Sequence, residues 1–553
     1  MHLAPTLTGM TANFIKKNLF TGRRKWGLII TTTTMLLLVG GMLGYSLWLY
    51  PKLKVKLSDA IHSQVPPGGS LRYEALNFSL WNNKLWLEGL EVEQNGQDSI
   101  AKLQATVQKI EVQGINWRKL YFDKFVSLKQ IRINAPRIKM IGQPFPKPNE
   151  NQQDSSQAFL LKNLKIEAGH FEYFEPDDTM TMSFGVDSFQ FFLTGIMPPV
   201  DRTAIPIQYQ SFEAEIFRLN QLTDNRFYAL KADRIHAHSQ DRHLRIEGLH
   251  YQPQISRKAF SETRIGHIEA QLDTKVKVIH FQDIDLTKLI TQQQISCRLT
   301  IIDSVSLTAF RDKSIPEIAK LRILPQQALM QLSWPLRVDT LRVTKGYIQY
   351  DELGPKSDEP GTIYFDQLYA TFYNLTNHPD LLKKQAPTVD AQALFMGKGE
   401  LQVQFQFFPL TPDFQYTYHG HLGNFAIENA NQMVDPRLAL VLESGMVHRL
   451  DFEVSANNQL SEGTMDFEYS NLNAFLQNNE TNRKKKFLSF VADIVTHKDN
   501  LPSEKDYRQG NIYFKQIPEK PFFHNVWQSV FSGIRSTVFP NLLLKKELDV
   551  KWF

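Results

Sequence analysis

LDFEVSANNQLSEGTMDFEY, residues 450–469, sets the fold class. Leu450, Phe452 and Val454 alternate with Asp451 and Glu453, and Met465, Phe467 and Tyr469 alternate with Asp466 and Glu468. A period of two gives a strand one apolar face and one polar face. Asn457, Asn458 and Gly463 read as turn residues between such strands, so the segment predicts an antiparallel hairpin. Upstream, Leu401, Val403, Phe405 and Phe407 are spaced by Gln402, Gln404 and Gln406 in the same pattern. The chain is expected to be mainly β.

The same devices recur in a fixed order. LKNLKIEAGHFEYF at 161–174 followed by FGVDSFQFFLT at 184–194 matches VDTLRVTKGYIQYD at 338–351 followed by YFDQLYATFYNLT at 364–376, with Gly169 on Gly346 and Tyr173 on Tyr350. LWLEGLEV at 85–92 followed by IAKLQATVQKIEVQGINWRKL matches LRIEGLHY at 244–251 followed by IGHIEAQLDTKVKVIHFQDIDLTKL, with Gly89 on Gly248. The order is A-B-A-B, with A units near 71–141 and 233–311 and B units near 159–212 and 335–390. Such a chain reads as a repeat array in which each unit packs against its neighbours. The polar, proline-containing stretch 143–157 reads as a link between the first A and B units, and 355–361 as a long hairpin loop.

Before this body, residues 26–50, WGLIITTTTMLLLVGGMLGYSLWLY, carry no charge and are long enough at helical rise to cross a hydrocarbon core of about 30 Å. Trp26 at one end and Trp48 and Tyr50 at the other suit an aromatic belt, and threonine hydroxyls within the run can bond back to helix carbonyls. Lys16, Lys17, Arg23, Arg24 and Lys25 precede it with no acidic residue, which predicts a cytoplasmic tail over 1–25 and a transmembrane helix over 26–50. A cleaved signal peptide is the competing reading, but the apolar run exceeds the usual signal core.

Those five cations account for the formal charge of +5, since the rest of the chain carries 57 basic and 57 acidic side chains out of totals of 62 and 57. A neutral body argues against a nucleic-acid partner. With one cysteine, Cys297, no internal disulfide forms, and the thiol reads as a small buried side chain. The chain contains no G-x-S-x-G, H-E-x-x-H, P-loop or G-x-G-x-x-G string, so no enzyme activity and no cofactor is expected. His236, His238 and His243 form the best metal candidate, and Asp177-Asp178 and Asp283-x-Asp285 the best carboxylate pairs; both acidic pairs sit in apparent turns, where aspartate bonds its own backbone.

After Asn478 the pattern changes. Phe487, Phe490, Val491 and Ile494 follow the basic run Arg483 to Lys486 at helical spacing. Phe523, Val526, Trp527, Val530, Phe531 and Ile534 form a second apolar stripe, with His524, Gln528 and Arg535 opposite. This second segment is a candidate cap for the end of the array, or a helix that docks on a membrane or partner.

The signal anchor, the LWLEGLEVEQ…IAKLQATVQKIEVQGI…VSLKQIRINAPRIKM pattern and the closing string from Gly463 to Leu472 together resemble the AsmA-like envelope proteins of bacteria with two membranes, over roughly residues 51–540. The resemblance implies a curved, gutter-like antiparallel sheet with an apolar inner face, fixed by a single-pass anchor in the inner membrane with its body in the periplasm. It also implies lipid handling or support of outer-membrane assembly, with phospholipid or another acyl lipid and envelope proteins as partners. The body is short beside the long members thought to cross the whole envelope. Its expected parts are a β-repeat body over 51–398, a terminal β unit over 399–480 and a helical segment over 481–553. Candidate groove residues are Leu401, Val403, Phe405, Phe407, Leu450, Phe452, Val454, Met465 and Phe467. The same alternation also fits a closed sandwich core, and the alternative function is a tethered scaffold without lipid transfer.

Overall fold

The computed structural model describes residues 68–79, 82–96, 101–122, 125–142, 159–198, 208–355, 359–433, 440–476 and 498–538, with isolated positions between 58 and 65. The anchor residues Trp26, Trp48 and Tyr50, the 143–157 link and the stripe from Phe487 to Ile494 lie outside them. Among the described residues no helix is long and apolar enough to cross a membrane.

Strand dominates. In chain order the elements are β1 (Gly69–Arg72), β2 (Ala75–Ser79), β3 (Lys84–Asn95), β4 (Lys102–Gln113), α1 (Trp117–Phe122), β5 (Val126–Ile141), β6 (Phe159–Glu175), β7 (Asp178–Ile196), β8 (Ser211–Leu222), β9 (Tyr228–His238) and β10 (His243–Pro253). There follow α2 (Arg257–Ser261), β11 (Gln271–Gln282), α3 (Leu286–Gln292), β12 (Ile295–Asp312), α4 (Pro325–Met330), β13 (Leu336–Leu353), β14 (Gly361–Thr376), α5 (Pro379–Lys384), β15 (Thr388–Phe395) and β16 (Gly399–Phe407). The last are β17 (Tyr416–Leu422), β18 (Phe425–Ala426), a 3-10 turn (Ile427–Gln432), β19 (Leu440–Ala456), β20 (Leu460–Leu476), β21 (Gly510–Lys515) and α6 (Phe522–Val538).

The chain divides into two compact units, one of His2–Leu249 with Gln282–Gln294, the other of His250–Phe281 with Ile295–Phe553. In the first, β1 and β2 both pair antiparallel with β3, and β3 to β5 continue antiparallel. Next β5 and β6 run parallel, and β6 to β9 return to antiparallel pairing. Leu76, Leu87, Val112, Leu128, Leu164 and Ile196 belong to its buried core. In the second, β12 and β13 run parallel, β13 to β17 form an antiparallel meander, β17 pairs with β19, and β19, β20 and β21 complete it.

The parallel pairs correct the expectation of a purely antiparallel array. Each lies where an A unit meets a B unit, and the chain between Ile141 and Phe159, as between Asp312 and Leu336, is longer than the dozen or so residues a parallel crossover needs. Gly463 also differs from its reading as a turn residue, because it lies inside β20 opposite Val454 and the turn is made around Asn457.

The repeats match in detail. Gly89 and Gly248 both hold left-handed backbone, φ 62° and 63°, inside strands and beside an acidic side chain, Glu74 and Asp233 respectively. Gly169 and Gly346 both sit at register shifts, each preceded by a left-handed residue, Ala168 and Lys345. Such bulges bend a strand and sharpen its twist. Asn116 accepts the Lys119 N–H at 3.1 Å to start α1, and Asp285 accepts the Lys288 N–H at 2.9 Å to start α3, each after a buried isoleucine, Ile115 or Ile284.

Gly89→Ala and Gly248→Ala should each lower unfolding free energy by about 1–2 kcal/mol, because a side chain is strained in the left-handed region. Gly346→Ala, whose φ is not positive, should cost less. Urea unfolding of the three variants checks the order.

Candidate functional site

The register of the second unit lines up two apolar rows across nine strands. One runs Thr300, Leu341, Phe372, Val389, Phe405, Tyr418, Val454, Gly463, Ile512. The other runs Ile302, Val343, Ala370, Ala391, Val403, Gly420, Phe452, Met465, Gly510. Every position except Thr300 is apolar, aromatic or glycine. Because side chains alternate, the opposite face carries Arg342, Thr371, Asp390, Gln404, His419, Glu453 and Thr464 in the row between.

Cover over the apolar face is uneven along the sheet. Ile512, Met465, Val454 and Tyr418 are each 1% exposed and Phe405 is 9%, Val389, Phe372 and Leu341 are only half-buried, and cover returns at Thr300, 3% exposed, and at Ala370 in the second row, 6%. All nine candidate groove residues are brought together, but as part of the covered end. Phe405, Leu450, Phe452, Val454, Met465 and Phe467 are buried in one cluster with Phe522, Val530 and Val538 of α6, and Leu401, Val403 and Phe407 pack against it. Phe522 reaches the ring of Tyr416 at 5.3 Å, and Phe405 stacks on Tyr418 at 5.3 Å. These residues make a filled core beneath a helix. The less covered stretch of the same rows lies toward β13, β14 and β15.

α6 closes the array by a route that the apolar stripe did not reveal. Val526, Val530 and Ile534 face the core, but Phe523 is 52% exposed and Trp527 stacks on Phe531 along the flank. The face pressed on β21 is small and polar: Asn525, Ser529, Ser532, Gly533 and Thr537 are all buried. The outward N–H of Tyr513 donates to Ser532 Oγ at 3.1 Å, and that of Asn511 donates to Ser536 Oγ at 2.7 Å. Each hydroxyl in turn donates within the helix, Ser532 to the Ser529 carbonyl and Ser536 to the Gly533 carbonyl. A hydroxyl both donates and accepts, so the helix takes the place of the next strand along the open edge. Gly533 and Gly510 permit this approach, since a Cβ on Gly533 would stand 2.8 Å from Ile512 Cγ1 and one on Gly510 would stand 2.5 Å from Thr537 Oγ1. The spacing Ser529-x-x-Ser532-Gly533-x-x-Ser536-Thr537 carried this signal, but hydroxyls read as solvent-facing when hydropathy alone is scored.

His524 belongs to this cover and not to a solvated face. Burial, aided by Lys313 and Lys520, pushes its pKa down to about 4, so the ring is neutral at pH 7.

The remaining sequence candidates separate into local roles. His236 contacts Glu213 of β8 at 3.3 Å and His238 contacts Asp241 of the following turn at 2.9 Å, so the histidines pair with separate carboxylates. Among the described residues no group of three or more His, Cys, Asp or Glu side chains is placed to hold a metal. Asp178 accepts the N–H groups of Met180 and Thr181, both at 3.0 Å. A bond from the Thr181 side chain, followed by those from the two N–H groups, holds its pKa down at about 2. Asp285 is a helix cap. Cys297 is buried.

The polar face forms a trough of about 790 Å³ that spans β14 to β20. His421 contacts Asp451 at 2.5 Å, and Arg449 donates to the same carboxylate. Partial burial would raise the Asp451 pKa, but the bonds from His421 and Arg449 outweigh it and hold the carboxyl below its usual range.

No protein-family model and no curated protein matches this chain.

Two outcomes follow from the helical cover. Ser532→Ala should destabilise the protein by about 1–2 kcal/mol in urea unfolding, by leaving the part-buried Tyr513 N–H without its acceptor. Stability should also fall as pH drops from about 6.5 toward 4, because the unfolded chain binds the His524 proton more readily than the folded one. His524→Gln should remove up to about 2 kcal/mol of that dependence relative to the wild type, in paired unfolding curves across the window.

Proposed function

We propose that the chain is a membrane-anchored envelope protein of the AsmA-like kind that shelters acyl chains on the apolar face of its β-body. The observation that carries this reading is the pair of apolar rows continuing from the core under α6 to the half-buried Val389, Phe372 and Leu341. A face that stays apolar where cover thins is suited to hydrocarbon, and transfer of each methylene onto it is favourable by roughly 0.8 kcal/mol when fully buried. The helix seals one end, so an occupant would lie toward β13 to β15. Residues 26–50 would fix the N-terminal side at the inner membrane, with the body in the periplasm. No catalytic step is assigned.

Native mass spectrometry of the purified full-length protein, with lipid extraction and a matched control protein, tests the reading. Phospholipid at defined stoichiometry is expected, and Phe372→Asp in a still-folded protein should lose most of it. Folded protein that carries no lipid would overturn the carrier role and leave the tethered scaffold.

A further inference from the structure

The polar face opposite those rows is the most chemically organised surface that the lipid reading leaves unused. We propose that the trough spanning β14 to β20 binds a neutral, hydroxyl-rich oligosaccharide. Its lining positions stand on a grid about 4.8 Å apart across strands and about 6.8 Å apart along them, which presents polar groups at regular intervals to an extended ligand. The 790 Å³ volume falls in the range of small-molecule sites.

The side chains divide into two sets. Gln404 donates to Asp390, and His421 with Arg449 satisfies Asp451, so these fix the floor. Gln392, Gln402, His419 and Glu453 make no side-chain hydrogen bond among the described residues and point from neighbouring strands into the same space. Amides and imidazole both donate and accept, and a carboxylate accepts, so this set suits a ligand whose hydroxyls do both. Tyr369, 40% exposed, closes one end with an aromatic surface for the apolar side of a sugar ring.

Charge narrows the class. The lining contains Asp390, Asp451, Glu453 and Asp466, and its neighbouring arginine, Arg449, is paired with Asp451, so phosphate, sulfate and uronate groups are disfavoured. No three-ligand metal grouping exists among the described residues. Acyl chains gain nothing from a lining of amides, carboxylates and imidazoles.

The test uses full-length protein in a zwitterionic detergent without a sugar headgroup. Binding of chitotetraose, cellotetraose and maltotetraose is measured by calorimetry and saturation-transfer NMR, with tetragalacturonate as the anionic counterpart and tetralysine as a cationic peptide. At least one neutral tetrasaccharide should bind, and Tyr369→Ala, Gln402→Ala and His419→Ala should each weaken it by about tenfold with unchanged unfolding temperature. Phe523→Ala, on the exposed flank of α6, should leave binding as it is, and the trough variants should retain co-purified lipid. Absence of neutral-sugar binding at millimolar concentration, equal binding of tetragalacturonate, binding of tetralysine alone, or indifference to all three substitutions would each overturn the proposal.

Discussion

Side-chain alternation held in register across nine strands is the constraint on which the second unit depends. A slip of β19 by one residue against β17 and β20 would put Asp451 and Glu453 beneath α6 and Phe452 in water. The rows cross both the parallel joint at β12 and β13 and the bulges near Gly346, so the irregularities reset the register and do not break the faces. Burial of Tyr418, Val454 and Met465 then fixes the pairing that the backbone bonds alone would leave free to slide.

An open sheet built this way has an unpaired edge. α6 answers it with hydroxyls, which satisfy β21 at Asn511 and Tyr513 while Phe522 and Val530 fill the space above Phe405 and Tyr416. One element therefore ends both the hydrogen-bond ladder and the apolar face. The two faces are left with different chemistry: hydrocarbon on one side, less covered at Val389, Phe372 and Leu341, and amides, histidines and carboxylates on the other. A lipid-handling body with a glycan-binding exterior would use both, and the two uses can be separated by substitution because no side chain serves both.

The repeat explains how such a sheet grows. The same left-handed glycine, the same capped helical turn and the same shifted hairpin appear twice, with the unequal connections placed at the parallel joints. Half-buried charge ladders such as Lys109 between Glu88 and Glu111 dress the polar face of the first unit, where they favour solubility more than stability.

By itself the sequence determined the inward and outward residues of β16, β19 and β20, the hairpin at 450–469 and the order of the repeats, because a period of two is a local property. It also marked Leu401 to Phe407 and Phe523 to Ile534 as apolar. Only the tertiary structure decided that β5 and β6, like β12 and β13, run parallel, that the candidate groove residues near Phe405 are covered, and that α6 presents Ser532 and Ser536 to the sheet. Those features depend on which strand lies beside which, and a hydroxyl in a helix carries the same hydropathy whether it meets water or the edge of a strand.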